Sequence, residues 1–346
     1  MEKLDLLMKN TVEVVTPQEL ENVLNNDHPR GYIGFEPSGT VHLGWKICTN
    51  KIKDFLSCGF HFTVLLADWH AYINDKLGGD IEKIKMCGKY MEECFAAMGV
   101  AKDQVDFVYA SDYIGDPAYW ELVLRCSKST SVARVKRAMD IMGRDEDEAE
   151  RDLSKLFYPA MQVSDIFYLN LDVAYGGMDQ RHAHMLARDI SKKINKKAPV
   201  AIHTPLLTGL QAGSRMDPTE VKMSKSKPDS MISIHDSPDE IKRKIKKAYC
   251  PERIVEGNPI LEICKYVIFP ELDDVFRISR PEKFGGNLEF QTYEELEQQF
   301  ITELHPLDLK NATTTYLNQI LEPIHEYFNT HTEARKLMEN LGIVTR

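Results

Sequence analysis

The amino-acid sequence predicts an α/β fold, a parallel sheet covered by helices, with a smaller helical module behind it. Three observations carry this reading. Through the first half of the chain short apolar runs alternate with amphipathic segments, the pattern of βαβ units. Two glycine-bearing segments, EPSGTVHLGW from Glu36 and AYGGMDQRHAHML from Ala174, fall where an apolar run gives way to a helical pattern. Beyond about residue 235 the alternation stops and helical periodicity takes over.

Taken in order, Tyr32 to Phe35 reads as a strand, followed by the turn EPSGT and a helix containing Ile47, Ile52 and Phe55. Phe62 to Ala67 is a second strand, Ile81 to Met98 a helix, Asp106 to Tyr109 a third strand and Val200 to Leu207 a fourth. Between Ser111 and Ser154 a mostly helical pattern interrupts this rhythm, as an insertion between two halves of a nucleotide-binding fold would. It is a candidate dimer surface, and its GRDEDEAERD stretch from Gly143 reads as a charged surface segment. The helical module opens with Ser237 as N-cap and Glu240 three residues on, a capping box. Further helices are predicted over Tyr293 to Thr302, Pro306 to Tyr327 and Thr332 to Asn340. The expected domains are 1–234, Rossmann-like, with the insertion at about 111–154 and a mobile loop at about 211–230, and 235–346, helical.

A length of 346 residues suits two domains, and 43% hydrophobic with 28% charged residues is the composition of a globular chain. No apolar run approaches the roughly 20 residues of a membrane span, and MEKLDLLMKN lacks the features of a signal peptide, so a cytoplasmic protein without a membrane partner is expected. The seven cysteines never form C-x-x-C, which suggests neither a disulfide framework nor a zinc site, and no metal ligands are assigned. A net charge of −10 argues against nonspecific coating of nucleic acid but leaves room for local basic patches. The runs KKINKK from Lys192 and KRKIKK from Lys242 are such candidates, or else solvated helix faces.

The chemistry is concentrated in a few motifs. In EPSGTVHLGW, small residues at Pro37, Ser38, Gly39 and Gly44 let a phosphate approach the backbone, and a helix N-terminus offers unpaired N–H groups to it, with His42 alongside. Alone, this is equally an ordinary turn. VKMSKSKPD places Lys222, Lys225 and two serines in a loop that could close on triphosphate oxygens, or that could be a plain basic loop. Gly176, Gly177 and Asp179 form a second strand-to-helix turn, where Asp179 could bind ribose hydroxyls or simply cap a helix. Tyr158, Gln162 and Asp165 are four and three residues apart, so on a helix they share one face and can line a single pocket, or else form a polar patch on an amphipathic helix. His70 and Leu65 could floor that pocket, although His70 fits a core histidine as well.

H-L-G near the N-terminus with K-M-S-K-S some way downstream resembles the paired signatures of class I aminoacyl-tRNA synthetases. YIGFEPSG, LLADWHAY, YPAMQVSDI, GGMDQR, KMSKS and ELHPLDLKNA follow the order found in tyrosyl-tRNA synthetases of the archaeal and eukaryotic type, and the resemblance covers nearly the whole chain. It implies tyrosine activation with ATP, transfer to tRNA(Tyr), a homodimer, Mg²⁺ accompanying the nucleotide and no zinc. It also implies that Tyr32 and Asp165 hold the substrate phenol and that Tyr158, Gln162 and Gln180 hold its ammonium group. The implied nucleotide site comprises Gly34, Glu36, Pro37, Ser38, Gly39, His42, Gly44, Gly177, Asp179, Lys222, Met223, Ser224, Lys225 and Ser226, with His42, Lys222 and Lys225 catalytic. Arg137 and Arg181 are implied at the tRNA acceptor end, and Phe284, His305 and Asp308 at the anticodon. Without the resemblance, Phe284 reads equally as core and Asp308 as a favourable charge at a helix start.

One departure is Trp45, where the family motif usually ends in a second histidine. An indole N–H donates one hydrogen bond but carries no charge, so either it replaces a phosphate contact in part or it packs. Rival readings are a tryptophanyl enzyme of the same fold, an inactive RNA-binding descendant and a small-molecule nucleotidyltransferase. Tyr32 with Asp165 fits a phenol better than an indole.

Overall fold

The computed structural model describes residues 2–139, 152–211 and 228–343. Lys222, Met223, Ser224, Lys225 and Ser226 lie outside them, as does most of the charged stretch from Gly143. The described chain forms two compact units, Met1–Gly39 with Lys51–Pro205, and Thr40–Asn50 with Leu206–Arg346.

The first unit is built on a six-stranded sheet: β1 Glu13–Val15, β2 Arg30–Phe35, β3 His61–Leu66, β4 Asp106–Tyr109, β5 Val173–Gly177 and β6 Val200–Thr204. Their order is β1-β6-β5-β2-β3-β4. All neighbours are parallel except β1, which runs antiparallel to β6, so the predicted parallel sheet is mixed at one edge. EVV, only three residues long, offers too little alternation to be read as a strand. β3 and β6 are almost wholly buried, as strands covered on both faces are. From β2 the chain winds outward through β3 and β4, whereas β5 and β6 lie on its other side. The strand order therefore reverses between β2 and β5, and the carboxyl ends there are where open α/β sheets bind ligands.

The helix Ile81–Ala97 begins where Asp80 accepts from the backbone N–H groups of Glu82 and Lys83, a cap that contributes about 1 kcal/mol. Within the segment predicted as a helical insertion lie the helices Pro117–Lys128 and Val132–Ala138. The helix Ser154–Tyr168 has Pro159 inside it, is buried over most of its length and packs against Pro117–Lys128 among other helices.

In the second unit, helices Pro238–Lys247, Tyr293–Thr302, Pro306–Thr330 and Thr332–Asn340 follow the predicted periodicity closely, with Ser237 capping the first through Glu240 N. The unit is not purely helical: β7 Phe276–Ile278 and β8 Leu288–Phe290 form an antiparallel hairpin. Its three-residue strands escape sequence periodicity as EVV does. The H-L-G segment belongs to this unit, where Leu43 N–H donates to Ile232 O and Ile234 N–H to Val41 O.

Candidate active site

In the first unit, the elements around the β2/β5 reversal bring the sequence-predicted pocket residues together. β2 supplies Tyr32 and β3 supplies Leu65, both buried. His70 comes from the short helix Asp68–Ile73 that follows β3, and Gln180 from the turn Met178–Gln180 that follows β5. Tyr158, Gln162 and Asp165 project from Ser154–Tyr168, and their polar atoms find partners in this one region.

Asp165 is 0% exposed and is the electrostatic centre of the pocket. Its Oδ1 accepts from Tyr113 Oη at 2.8 Å and from Tyr119 Oη at 2.9 Å. Its Oδ2 lies 3.0 Å from His70 Nε2, close enough for an ion pair but out of line for a hydrogen bond. Asp165 Oδ2, both His70 nitrogens and Gln162 Oε1 thus have no hydrogen-bond partner in the protein. A buried polar atom without a hydrogen bond costs roughly 1–3 kcal/mol, offset for Asp165 Oδ2 and His70 Nε2 by their mutual attraction, and such a cluster suits a site that meets a ligand. Burial works to lower the His70 pKa, but the carboxylates of Asp165, Glu36 and Asp68 outweigh it and leave it raised. The Tyr32 hydroxyl is pushed up by burial and by Asp165, with the Gln162 side chain pulling the other way, so it stays protonated as a donor.

At the other end, Tyr158 Oη donates to Glu36 Oε1 at 2.8 Å, and its ring meets His70 edge-on with centroids 5.1 Å apart. Glu36 also accepts from Asn74 Nδ2 at 2.9 and 3.1 Å and faces Lys76 Nζ at 3.4 Å. Glu36, expected with the nucleotide, is therefore bonded to a residue expected to hold the amino acid. Gln162 Nε2 donates to Gln180 Oε1 at 2.9 Å, which leaves Gln162 Oε1 as the unpaired acceptor. One end thus offers a carboxylate oxygen beside a phenol, and the other a carboxylate, a tyrosine and two amides. That pairing suits a molecule with a neutral hydroxyl at one end and a cation at the other.

Around the glycine turns, Gly39 has φ +107°, where a side chain would be strained, and its N–H points at Cys87 Sγ 3.2 Å away. Gly34 is exposed on β2, Pro37 is buried, and Ser38, Gly177 and Asp179 are half-buried at the carboxyl ends of β2 and β5. In the second unit, Gly44 N–H donates to His42 Nδ1 at 3.1 Å, which puts the proton of a neutral imidazole on Nε2. A Cβ at Gly44 would come within 2.9 Å of that ring. Trp45 opens the helix Trp45–Ser57 and is 6% exposed, and the neighbouring Lys46 is buried in an ion pair with Glu271 at 2.9 Å. The indole packs.

The residues expected at RNA are dispersed. Arg137 is exposed on Val132–Ala138. Arg181 Nε donates to Glu13 Oε1 at 2.6 Å, and Glu13 also accepts from His203 Nδ1 at 2.9 Å. Burial disfavours a charged Glu13, but Arg181 and His203 outweigh it and its pKa is lowered. Behind it, His203 stacks on His184, both held neutral chiefly by burial. His305 caps Pro306–Thr330, accepting from Leu307 N, and Asp308 lies in the first turn of that helix. Phe284 lies in the turn Glu282–Phe284. Within the basic runs, Lys244 is buried against Asp236 at 2.5 Å and Lys197 pairs with Asp172, so neither is a free cation for RNA.

Sequence reasoning missed Tyr113, Tyr119, Asn74 and Glu13. Tyr113 and Tyr119 reach Asp165 across 52 and 46 residues of chain, and an aromatic in an amphipathic segment reads as core.

A family model described as tRNA synthetases class I (W and Y) matches residues 24–322. The chain is 51% identical over 349 residues to a tyrosine–tRNA ligase of Sulfurisphaera tokodaii, covering 98% of this chain and 96% of that one. Among solved structures it resembles a tyrosyl-tRNA synthetase of Aeropyrum pernix, with a TM-score of 0.88 and 45% identity over 98% of both chains. It also resembles one of Pyrococcus horikoshii complexed with L-tyrosine, with a TM-score of 0.90 and 42% identity over 98% of this chain and 100% of that one.

Proposed function

This chain belongs to the tyrosine–tRNA ligases of class I, and from that premise we propose how its residues divide the work. It condenses L-tyrosine with ATP to tyrosyl-adenylate and pyrophosphate, then passes the tyrosyl group to the terminal adenosine of tRNA(Tyr). The observation that carries the substrate reading is Asp165, a fully buried carboxylate whose Oδ2 accepts no hydrogen bond from the protein and which influences the Tyr32 hydroxyl. A phenol fills that need as donor to Asp165 and acceptor from Tyr32, whereas phenylalanine leaves both groups unpaired. Tyr158, Gln162 and Gln180 take the ammonium group, and Gln162 Oε1 supplies an acceptor for it. Leu65 and His70 complete the floor.

In the first step a tyrosine carboxylate oxygen attacks the α-phosphorus in line. A new P–O bond forms as pyrophosphate leaves, and no protein nucleophile is needed. Catalysis is positioning and charge stabilisation. His42, with its proton on Nε2, Lys222 and Lys225 meet the phosphates. Gly34, Pro37, Ser38, Gly39 and Gly44 give them room, Met223, Ser224 and Ser226 complete the loop, and Gly177 and Asp179 take the ribose. Mg²⁺ travels with the nucleotide as part of the substrate and neutralises phosphate charge. In the second step a ribose hydroxyl attacks the aminoacyl carbonyl carbon and AMP leaves. Arg137 and Arg181 serve the acceptor end, and Phe284, His305 and Asp308 the anticodon, which makes residues 1–234 the catalytic domain and 235–346 the anticodon-binding one. The exposed Leu124 and Val132 suit the insertion to a homodimer contact, and the working compartment is the cytoplasm.

Stopped-flow adenylate formation tests this mechanism. Lys222→Ala or Lys225→Ala should slow adenylation far more than either weakens tyrosine binding, because the phosphate charge they meet grows as pyrophosphate leaves. Wild-type adenylation rates in both variants would sink it.

A further inference from the structure

Tyr113 and Tyr119 lie in the segment read from sequence as a helical insertion, and both turn their hydroxyls onto one atom of Asp165. All three side chains are buried. Tyr113 Oη and Tyr119 Oη donate to Oδ1 at 2.8 and 2.9 Å, which occupies both lone pairs of that oxygen, while Oδ2 accepts from neither. We propose that Tyr113 and Tyr119 are specificity-determining positioning residues: by saturating Oδ1 they lock the carboxylate so that Oδ2 alone is presented to the substrate's para-hydroxyl. This rests on the reading of Asp165 as the phenol acceptor.

The alternative open to Asp165 is visible in the same pocket. His70 Nε2 lies 3.0 Å from Oδ2 without the alignment of a hydrogen bond. A carboxylate free to turn about its last torsion would line up with that imidazole and spend Oδ2 on it. Two O–H donors on Oδ1 oppose the turn, since it would break both bonds. They are also dependable donors, because burial first and the Asp165 charge second hold both phenols far above their ordinary pKa.

The donors are themselves held in place. The Tyr113 and Tyr119 rings meet at 5.0 Å, and Tyr168 packs on them at 5.0 and 5.5 Å. Tyr168 Oη donates to Asp116 at 2.8 Å, and Asp116 in turn caps the helix that carries Tyr119 by accepting from Ala118 N. Tyr119 is thus tied down through its ring, its hydroxyl and the start of its own helix. A rigid acceptor sharpens selection. When phenylalanine enters, Oδ2 stays buried and unpaired, and the carboxylate cannot relieve that penalty by rotating to His70.

Tyr113→Phe, Tyr119→Phe and the double variant keep the rings and remove only the hydroxyls. In ATP–pyrophosphate exchange, each single change should narrow the tyrosine-over-phenylalanine ratio of kcat/KM by about tenfold, the scale of one hydrogen bond to a charged group. The double variant should narrow it further, with kcat/KM for tyrosine falling and kcat/KM for phenylalanine holding or rising as the freed carboxylate turns to His70. Tyr168→Phe, which keeps the ring packing and both bonds to Asp165 and removes only the contact to Asp116, should change the ratio far less than either. An unchanged ratio in the Tyr113 and Tyr119 variants, or an equal fall for both amino acids, would overturn the proposal. Asp165→Asn separates the two layers: a collapsed ratio there with intact ratios in the tyrosine variants overturns the positioning role alone, whereas an intact ratio in Asp165→Asn overturns the phenol reading itself. Melting curves verify folding, and the single variants carry the comparison if the double variant fails to fold.

Discussion

Replacing Glu36 by glutamine asks which substrate this carboxylate serves. The sequence motif groups Glu36 with the nucleotide, yet its oxygens accept from Tyr158 Oη at 2.8 Å and from Asn74 Nδ2 at 2.9 and 3.1 Å, with Lys76 Nζ at 3.4 Å. Glutamine keeps one acceptor and turns the other into an N–H₂ donor. Asn74 keeps an acceptor in either orientation of the amide, whereas Tyr158 or Lys76 then faces an N–H₂ group, and the negative charge that favours a nearby ammonium disappears. A hydrogen bond to a charged group is worth about 1.5–3 kcal/mol, so the loss corresponds to roughly 10- to 150-fold weaker tyrosine binding. The assay is tyrosine Kd by equilibrium dialysis, set beside the KM for ATP in pyrophosphate exchange. The expected result is a raised tyrosine Kd with the KM for ATP within about threefold of wild type, well below the tenfold step of one such bond. A raised KM for ATP with tyrosine binding unmoved would refute the placement of Glu36 beside the ammonium group.

Asp308→Ala should reduce charging of tRNA(Tyr) while leaving tyrosine-dependent pyrophosphate exchange nearly untouched, and equal losses in the two assays would make Asp308 a structural residue. Trp45→His should lower the melting temperature by several degrees, since the indole is 6% exposed and a smaller ring leaves a cavity costing about 2 kcal/mol; an unchanged melting curve would mean that the indole does not pack. His235 is held neutral, with its pKa lowered to about 4 by burial and by His325. Between pH 6.5 and 4 the unfolded chain therefore binds a proton that the folded one refuses, so this residue's contribution is neutral above pH 6.5 and turns unfavourable as pH falls, by about 1.4 kcal/mol per unit. His235→Gln should consequently lose about 2 kcal/mol less stability than wild type between pH 7 and pH 5 in urea titrations, and parallel losses would contradict the assignment.

The fold was legible where periodicity ran long enough. Tyr293–Thr302 and Thr332–Asn340 are read to the residue because each buries one face at helical spacing, whereas β1, β7 and β8 are three residues long and carry no period. Asp165, Gln162 and Tyr158 were named by the family resemblance, and their spacing on one helix, which is local information, agreed with it. The donors that orient Asp165 were not legible, because their contacts close across 46 and 52 residues and nothing local distinguishes them from core aromatics. Glu13 escaped for the same reason, since it meets Arg181 and His203 across 168 and 190 residues. Family resemblance supplied residue names for the nucleotide and RNA contacts. The direction in which Glu36 faces came only from the coordinates.

Amino-acid-dependent ATP–pyrophosphate exchange with each of the twenty standard amino acids tests the central claim most directly. Exchange supported by tyrosine, with phenylalanine and tryptophan lower in kcat/KM by on the order of 10⁴ or more, is the result expected of a site that pairs a phenol with Tyr32 and Asp165. Exchange supported by tryptophan instead, or by no amino acid at all, would contradict it.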